Sequence, residues 1–136
     1  MRVPKTVHAK NLPGIAVVDD EKSYTDLLAV TLGECFLNPI HAFTHPQKFL
    51  DALPTLDLGL VVTDFNMPGI DGLELIARVR RQRPGLPFLL ITGHVGELES
   101  RNLEQIPELR GILPKPFGWR KLAAEILRVG PASPRL

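Results

Sequence analysis

Ile15-Ala16-Val17-Val18-Asp19-Asp20-Glu21 sets four apolar residues in a row and then turns abruptly to three acids. An unbroken apolar run of this length suits a β-strand buried on both faces, because a strand with one wet face alternates. The acids mark its carboxyl end. Beyond them Tyr24, Leu27, Leu28, Leu32, Cys35 and Phe36 recur at helical spacing. Asp20 to Ser23 supply cap residues and negative charge at the helix start, where the helix dipole favours both. A buried strand followed by an amphipathic helix is the unit, and it recurs along the chain.

Pro39-Ile40-His41-Ala42-Phe43 repeats the strand more weakly, with a helix through Phe49, Leu50 and Leu53 that Pro54 closes. Leu58-Gly59-Leu60-Val61-Val62 reads as a third strand, again ending on an acid, Asp64. Its helix turns Leu73, Ile76 and Ala77 inward, and Arg78, Arg80, Arg81 and Arg83 crowd the C-terminal end, where the dipole favours cations. Pro87 to Ile91 form a fourth strand ending at Thr92-Gly93. A fourth helix is expected between Val95 and Ile106, with the weakest apolar stripe of the set. Gly111-Ile112-Leu113 is a brief fifth strand, followed by Pro114-Lys115-Pro116 and a helix burying Trp119, Leu122, Ala123 and Ile126. Five strand and helix pairs with short connections predict an α/β fold, a doubly wound parallel sheet covered on both faces.

The 136 residues suffice for one domain, and 44% hydrophobic content excludes intrinsic disorder. Sixteen Lys and Arg against fifteen Asp and Glu leave a formal charge of +1, too little to recruit nucleic acid or an acidic membrane through a global field. The only cysteine, Cys35, excludes an internal disulfide and reads as a small buried hydrophobe. Met1 to Leu12 lack a signal-peptide core and no later run is long enough to span a bilayer, so a soluble cytoplasmic protein is expected. Pro131-Ala132-Ser133-Pro134 reads as a frayed tail. The arginines from Arg78 to Arg83 read as a solvated helix end, Trp119 as half-buried packing, and His8, His41 and His45 as too scattered for a metal set. No glycine-rich phosphate loop follows any strand.

In an open parallel sheet the working groups collect beyond the carboxyl ends of the strands. Here those positions hold Asp19, Asp20 and Glu21, then Asp64, Thr92 and Lys115. Carboxylates crowded on one rim raise each other's pKa unless a cation intervenes. Hard oxygen ligands without a cysteine cluster or paired histidines favour magnesium, which commonly coordinates a phosphate oxygen as well. Lys115 and the Thr92 hydroxyl suit the remaining phosphoryl oxygens. A carboxylate nucleophile would form an acyl phosphate, and Asp64, alone on the middle strand, is the candidate.

These residues resemble the receiver domain of two-component response regulators, in Val17-Val18-Asp19-Asp20-Glu21, Asp64-Phe65-Asn66-Met67-Pro68-Gly69 with Asp71-Gly72, Thr92-Gly93 and Lys115-Pro116-Phe117. The likeness runs from Gly14 to Val129, leaving 1–13 as an N-terminal extension and 130–136 as a C-terminal tail. It implies a flavodoxin-like (βα)5 sheet with strand order 2-1-3-4-5. It implies that Asp64 accepts a phosphoryl group from a phosphohistidine on a sensor histidine kinase or phosphotransfer protein. Mg2+ or Mn2+ would be held by Asp20, Asp64 and the backbone carbonyl of Asn66, with Asp19 acting through a water; Thr92 and Lys115 would bind the phosphoryl group. Such a domain is a phosphoacceptor rather than an enzyme, although it assists its own phosphorylation and dephosphorylation. Kinase docking is expected at the amino-terminal turn and exposed side of the first helix, whose apolar stripe is mostly core. The length leaves signalling to protein contacts with a downstream target, without direct nucleic-acid binding.

Ile112 departs from the family, which often places Tyr or Phe three residues before the lysine as a switch. Asn66 and His94 stand where the family tunes access of water to the acyl phosphate; for His94 a solvated loop residue is an equal alternative. Two other functions fit less of the pattern. A phosphorylation-independent adaptor on the same fold draws support from Ile112 but has no need of clustered acids. A small metal-dependent aspartyl phosphatase would need a second acid where Asn66 stands.

Overall fold

The computed structural model describes residues 12–135, so the N-terminal reading through residue 11, with His8, lies outside the described residues. The apolar runs become strands β1 (Gly14–Val18), β2 (Ile40–Phe43), β3 (Leu58–Asp64), β4 (Phe88–Thr92) and β5 (Leu109–Pro114). All pair in parallel, in the order β2-β1-β3-β4-β5. Every residue of β1, β3 and β4 is buried, as strands lacking a wet face require.

Period-two alternation divides these strands between two cores. Ala16, Val18, Val61, Phe88 and Leu90 face one layer, where Phe49 and Leu53 pack with Leu73, Leu75, Ile76 and Val79. They come from α2 (Pro46–Ala52), the short 3-10 turn after it, and α3 (Gly72–Val79). Ile15, Val17, Leu60, Val62, Leu89 and Ile91 face the other layer, against Leu28 and Leu32 of α1 (Lys22–Cys35) and Leu122, Ile126 and Val129 of α4 (Trp119–Val129). No described helix is long and apolar enough to cross a membrane.

Several expectations are corrected. Leu27 is 51% exposed and Val30 60%, so the apolar stripe of α1 is narrower than its sequence indicates. In α3, Leu75 and Val79 point inward and Ala77 is exposed. Trp119 is 38% exposed at the head of α4, and Cys35 is only part-buried. The expected fourth α-helix is replaced by two 3-10 turns, Val95–Leu98 and Leu103–Gln105, because only Leu98 between them offers a fully buried apolar anchor. β5 extends further in both directions than its apolar centre.

The arginine cluster is not wholly solvated. Arg83 donates to the carbonyls of Leu53 and Leu56, closing the turn after α2, and Arg80 pairs with the buried Glu108 at 3.3 Å. Pro131 to Arg135 are also not frayed. The Asn38 side chain, 3% exposed, donates to the carbonyls of Pro13 and Pro131 and accepts from the Ser133 N–H. Leu37 N–H bonds Ser133 and Arg135 N–H bonds Cys35, so the segment lies against the end of α1.

Removing the Asn38 amide would leave buried backbone groups without partners. Asn38→Ala should therefore lower stability by about 2 kcal/mol in urea denaturation. A loss within error would mean that water replaces the side chain at no cost.

Candidate functional site

Four adjacent strands deliver one group each to the carboxyl edge of the sheet. Asp19 follows β1, Asp64 ends β3, Thr92 ends β4 and Lys115 follows β5. Main-chain pairing fixes their spacing: Val18 is opposite Thr63, Asp64 opposite Ile91 and Thr92 opposite Pro114. The Lys115 N–H then bonds the Thr92 carbonyl at 2.7 Å, carrying the ladder one residue further.

Asp19 is buried, and its Oδ1 accepts the N–H of Glu21, the N-cap residue of α1, at 3.0 Å, which ties this carboxylate to the start of the helix. Glu21 occupies the N-cap position, and its side chain bonds no backbone N–H of the helix; its Oε1 accepts from the Ser23 hydroxyl at 3.3 Å instead. Thr25 ties the same turn down through its hydroxyl, which donates to the carbonyls of Asp19 and Glu21. Asp20 faces solvent beside the buried pair.

One carboxylate oxygen from each of Asp19, Asp20 and Asp64 lies within 4.8 Å of the other two. The Lys115 ammonium sits 3.9 Å from Asp19 Oδ2 and 3.8 Å from Asp64 Oδ1. Burial, reinforced by the Asp19 charge, pushes the Asp64 carboxyl up to about 6, although Lys115 and the Asn66 amide oppose the shift. Burial also raises Asp19, against the Glu21 N–H and Lys115. These are acids held together at an electrostatic cost that one ammonium does not cancel. An all-oxygen donor set of this charge fits a hard divalent cation such as Mg2+.

Thr92 is fully buried, and its Oγ1 accepts the His94 N–H at 2.9 Å, leaving the hydroxyl proton free to donate. Asn66 and His94 are exposed next to the cluster in sequence, and Ile112 is part-buried against the α2 and α3 core.

Three neighbouring residues escape sequence reasoning. Gly72 begins α3 where a Cβ would come within 2.5 Å of Leu90 Cδ1 and 3.0 Å of the Asp64 carbonyl. Only glycine lets that helix approach so closely. Arg101 reaches back from the 3-10 segment, with its guanidinium 6.0 Å from the Phe65 ring centroid and 4.0 Å from Asp71. Tyr24, read as core, lies with its ring centroid 4.6 Å from Lys115 Nζ. Its place one helical turn after Asp20 was the available signal.

Residues 15–127 match the family model for the response regulator receiver domain. The chain belongs to the response regulator receiver family. It is 42% identical over 116 residues to the transcriptional regulatory protein FixJ of Bradyrhizobium diazoefficiens, covering 82% of this chain and 54% of that one. The receiver chain thus spans about half the length of that relative. Among solved structures, full-length FixJ from B. japonicum superposes with a TM-score of 0.71 at 33% identity, covering 85% of this chain and 58% of that one. The chemotaxis protein CheY4 of Vibrio cholerae shares the fold with a TM-score of 0.77 at 22% identity, covering 87% and 98%.

The raised Asp64 carboxyl has a pH signature in the metal-free receiver. A group whose pKa is higher in the folded than in the unfolded chain adds stability below its unfolded value, and that stability is lost as pH rises through the folded value. The stability difference between Asp64→Asn and wild type should therefore shift in favour of Asn by about 2 kcal/mol from about pH 4 to 7. Urea titrations of both proteins in chelator test this; parallel curves would show that Asp64 ionises without penalty.

Proposed function

We propose that the receiver takes a phosphoryl group onto Asp64 from a phosphohistidine of a sensor histidine kinase or phosphotransfer protein. The convergence of Asp64 with two further carboxylates and the Lys115 ammonium is the observation that carries this reading. Asp20, Asp64 and the Asn66 carbonyl would hold Mg2+ or Mn2+, with Asp19 acting through a water. Bound there, the cation would neutralise charge on phosphoryl oxygens.

A carboxylate oxygen of Asp64 attacks phosphorus, the bond from phosphorus to the donor imidazole breaks, and the imidazole leaves with the bonding pair and takes up a proton from solvent. Lys115 contributes a second positive charge on the side of β5. The Thr92 hydroxyl, already oriented by the His94 N–H, donates to a phosphoryl oxygen. Positioned charge and donors supply most of the catalysis that phosphoryl transfer needs. The residues thereby assist both phosphorylation of the protein's own carboxylate and its reversal.

Gly14 to Val129 form the working unit in this reading, acting in the cytoplasm. With Ile112 at the usual aromatic switch position, output passes to a protein target without a ring moving inward there. Exposed Asn66 and His94 tune the lifetime of the acyl phosphate by their effect on incoming water.

With acetyl phosphate and Mg2+, wild type should acquire an acid-stable, hydroxylamine-labile phosphoryl label and Asp64→Asn should acquire none. Labelling that survives in Asp64→Asn would overturn the assignment. Lys115→Ala should slow uptake by about 10- to 100-fold through loss of one positioned charge. In pulse-chase decay of the label, His94→Ala should change the lifetime; an identical lifetime removes His94 from the mechanism.

A further inference from the structure

Among the described residues, none forms a hydrogen bond that fixes the Lys115 ammonium in the cleft. Its separations of 3.9 and 3.8 Å from Asp19 and Asp64 exceed hydrogen-bonding distance, and its side chain is 32% exposed. Coulomb attraction draws the charge toward the carboxylates but does not choose among the rotamers of a four-carbon stem. The face of Tyr24 does supply such a restriction. Its ring centroid is 4.6 Å from Nζ, well within the range at which an ammonium is attracted to an aromatic face.

The backbone that carries this ring is held firmly. Tyr24 lies in the first turn of α1, the turn pinned by the Asp19 carboxylate and the Thr25 hydroxyl. One structural unit therefore carries Asp19, Asp20 and Tyr24, while the lysine arrives from β5 on the other side. Phe117 and Trp119 pack edge to face, with centroids 6.3 Å apart, and complete the groove lined by Glu21, Tyr24 and Lys115. Burial and the charges of Asp19, Asp64 and Glu21 push the Tyr24 phenol up to about 12, so the residue presents a neutral ring at neutral pH.

We propose that Tyr24 is a positioning residue for phosphoryl transfer, its ring face holding the Lys115 ammonium between Asp19 and Asp64 where the incoming phosphoryl group needs a cation. The inference rests on the phosphoacceptor reading above. It assigns the role to the ring and none to the hydroxyl. With acetyl phosphate as donor, an Asp64 oxygen forms the new bond to phosphorus while acetate departs with the old bonding pair, so no proton or further reactant is required. Tyr24 touches neither partner and acts only through Lys115.

Two measurements on wild type, Tyr24→Phe and Tyr24→Leu test the proposal separately from the reading beneath it. The first is the NMR shift of the Lys115 Hε protons, assigned with Lys115→Ala. Ring current should move them upfield in wild type and Tyr24→Phe and release them in Tyr24→Leu, while amide spectra confirm that all three fold. The second is the rate of phosphoryl uptake from acetyl phosphate with Mg2+. Tyr24→Phe should stay within about twofold of wild type and Tyr24→Leu should be about fivefold slower, the kinetic equivalent of one partly exposed cation–π contact. In a Lys115→Ala background, adding Tyr24→Leu should produce no further loss.

Full-rate uptake by Tyr24→Leu overturns the proposal. So does a Tyr24→Phe variant as slow as Tyr24→Leu, which would assign the effect to the hydroxyl, or an additive loss on Lys115→Ala, which would route it elsewhere. Failure of wild type to take up phosphoryl overturns the phosphoacceptor reading and this proposal with it, and the Lys115 shift still reports whether the ring holds the ammonium.

Discussion

The hydrogen-bonded pairing of β1 with β3 is the constraint on which the site depends. Val18 opposite Thr63 places the next residues, Asp19 and Asp64, side by side whatever their mutual repulsion. Two side chains that would separate in water are held close because moving either would break a ladder whose flanking residues are all buried. Fold stability is thus spent on maintaining an unfavourable charge arrangement, a common property of sites prepared for a charged ligand. Lys115 relieves part of that repulsion and does so from the far side of the sheet, across β4.

The centre of the sheet was legible because β1, β3 and β4 lie under both layers and therefore read as unbroken apolar runs. The site was legible for the same reason: an apolar run that stops at a charge locates the strand end, and topology collects those ends on one edge. Helix faces were harder to read. Leu27 and Ala77 satisfy apolar spacing yet are exposed, since hydrophobicity alone does not report how wide a stripe the neighbouring sheet covers. The segment from Val95 to Ile106 carries enough apolar residues to suggest a helix, but a short helix is marginal without a packed face, and 3-10 turns result.

Contacts between distant segments were not legible at all. Nothing local marks Arg83 as the residue that closes the turn after α2, or Arg101 as the one that reaches Phe65 and Asp71. The Arg101 contacts nevertheless join the 3-10 segment to the loop that follows Asp64. Gly72 belongs with these cases, because its lack of a side chain acquires meaning only when Leu90 and the Asp64 carbonyl are seen above it.

The Asn38 amide also has a mechanical meaning. Through one side chain it grips the carbonyls of Pro13, where the main chain enters β1, and Pro131, just after it leaves α4. Entry and exit are therefore fastened at a common point, at the edge of the sheet opposite Asp64. Tension applied between residues 13 and 131 would load that fastening before it sheared the strand pairing, leaving the carboxylate cluster insulated from pulling on the flanking chain.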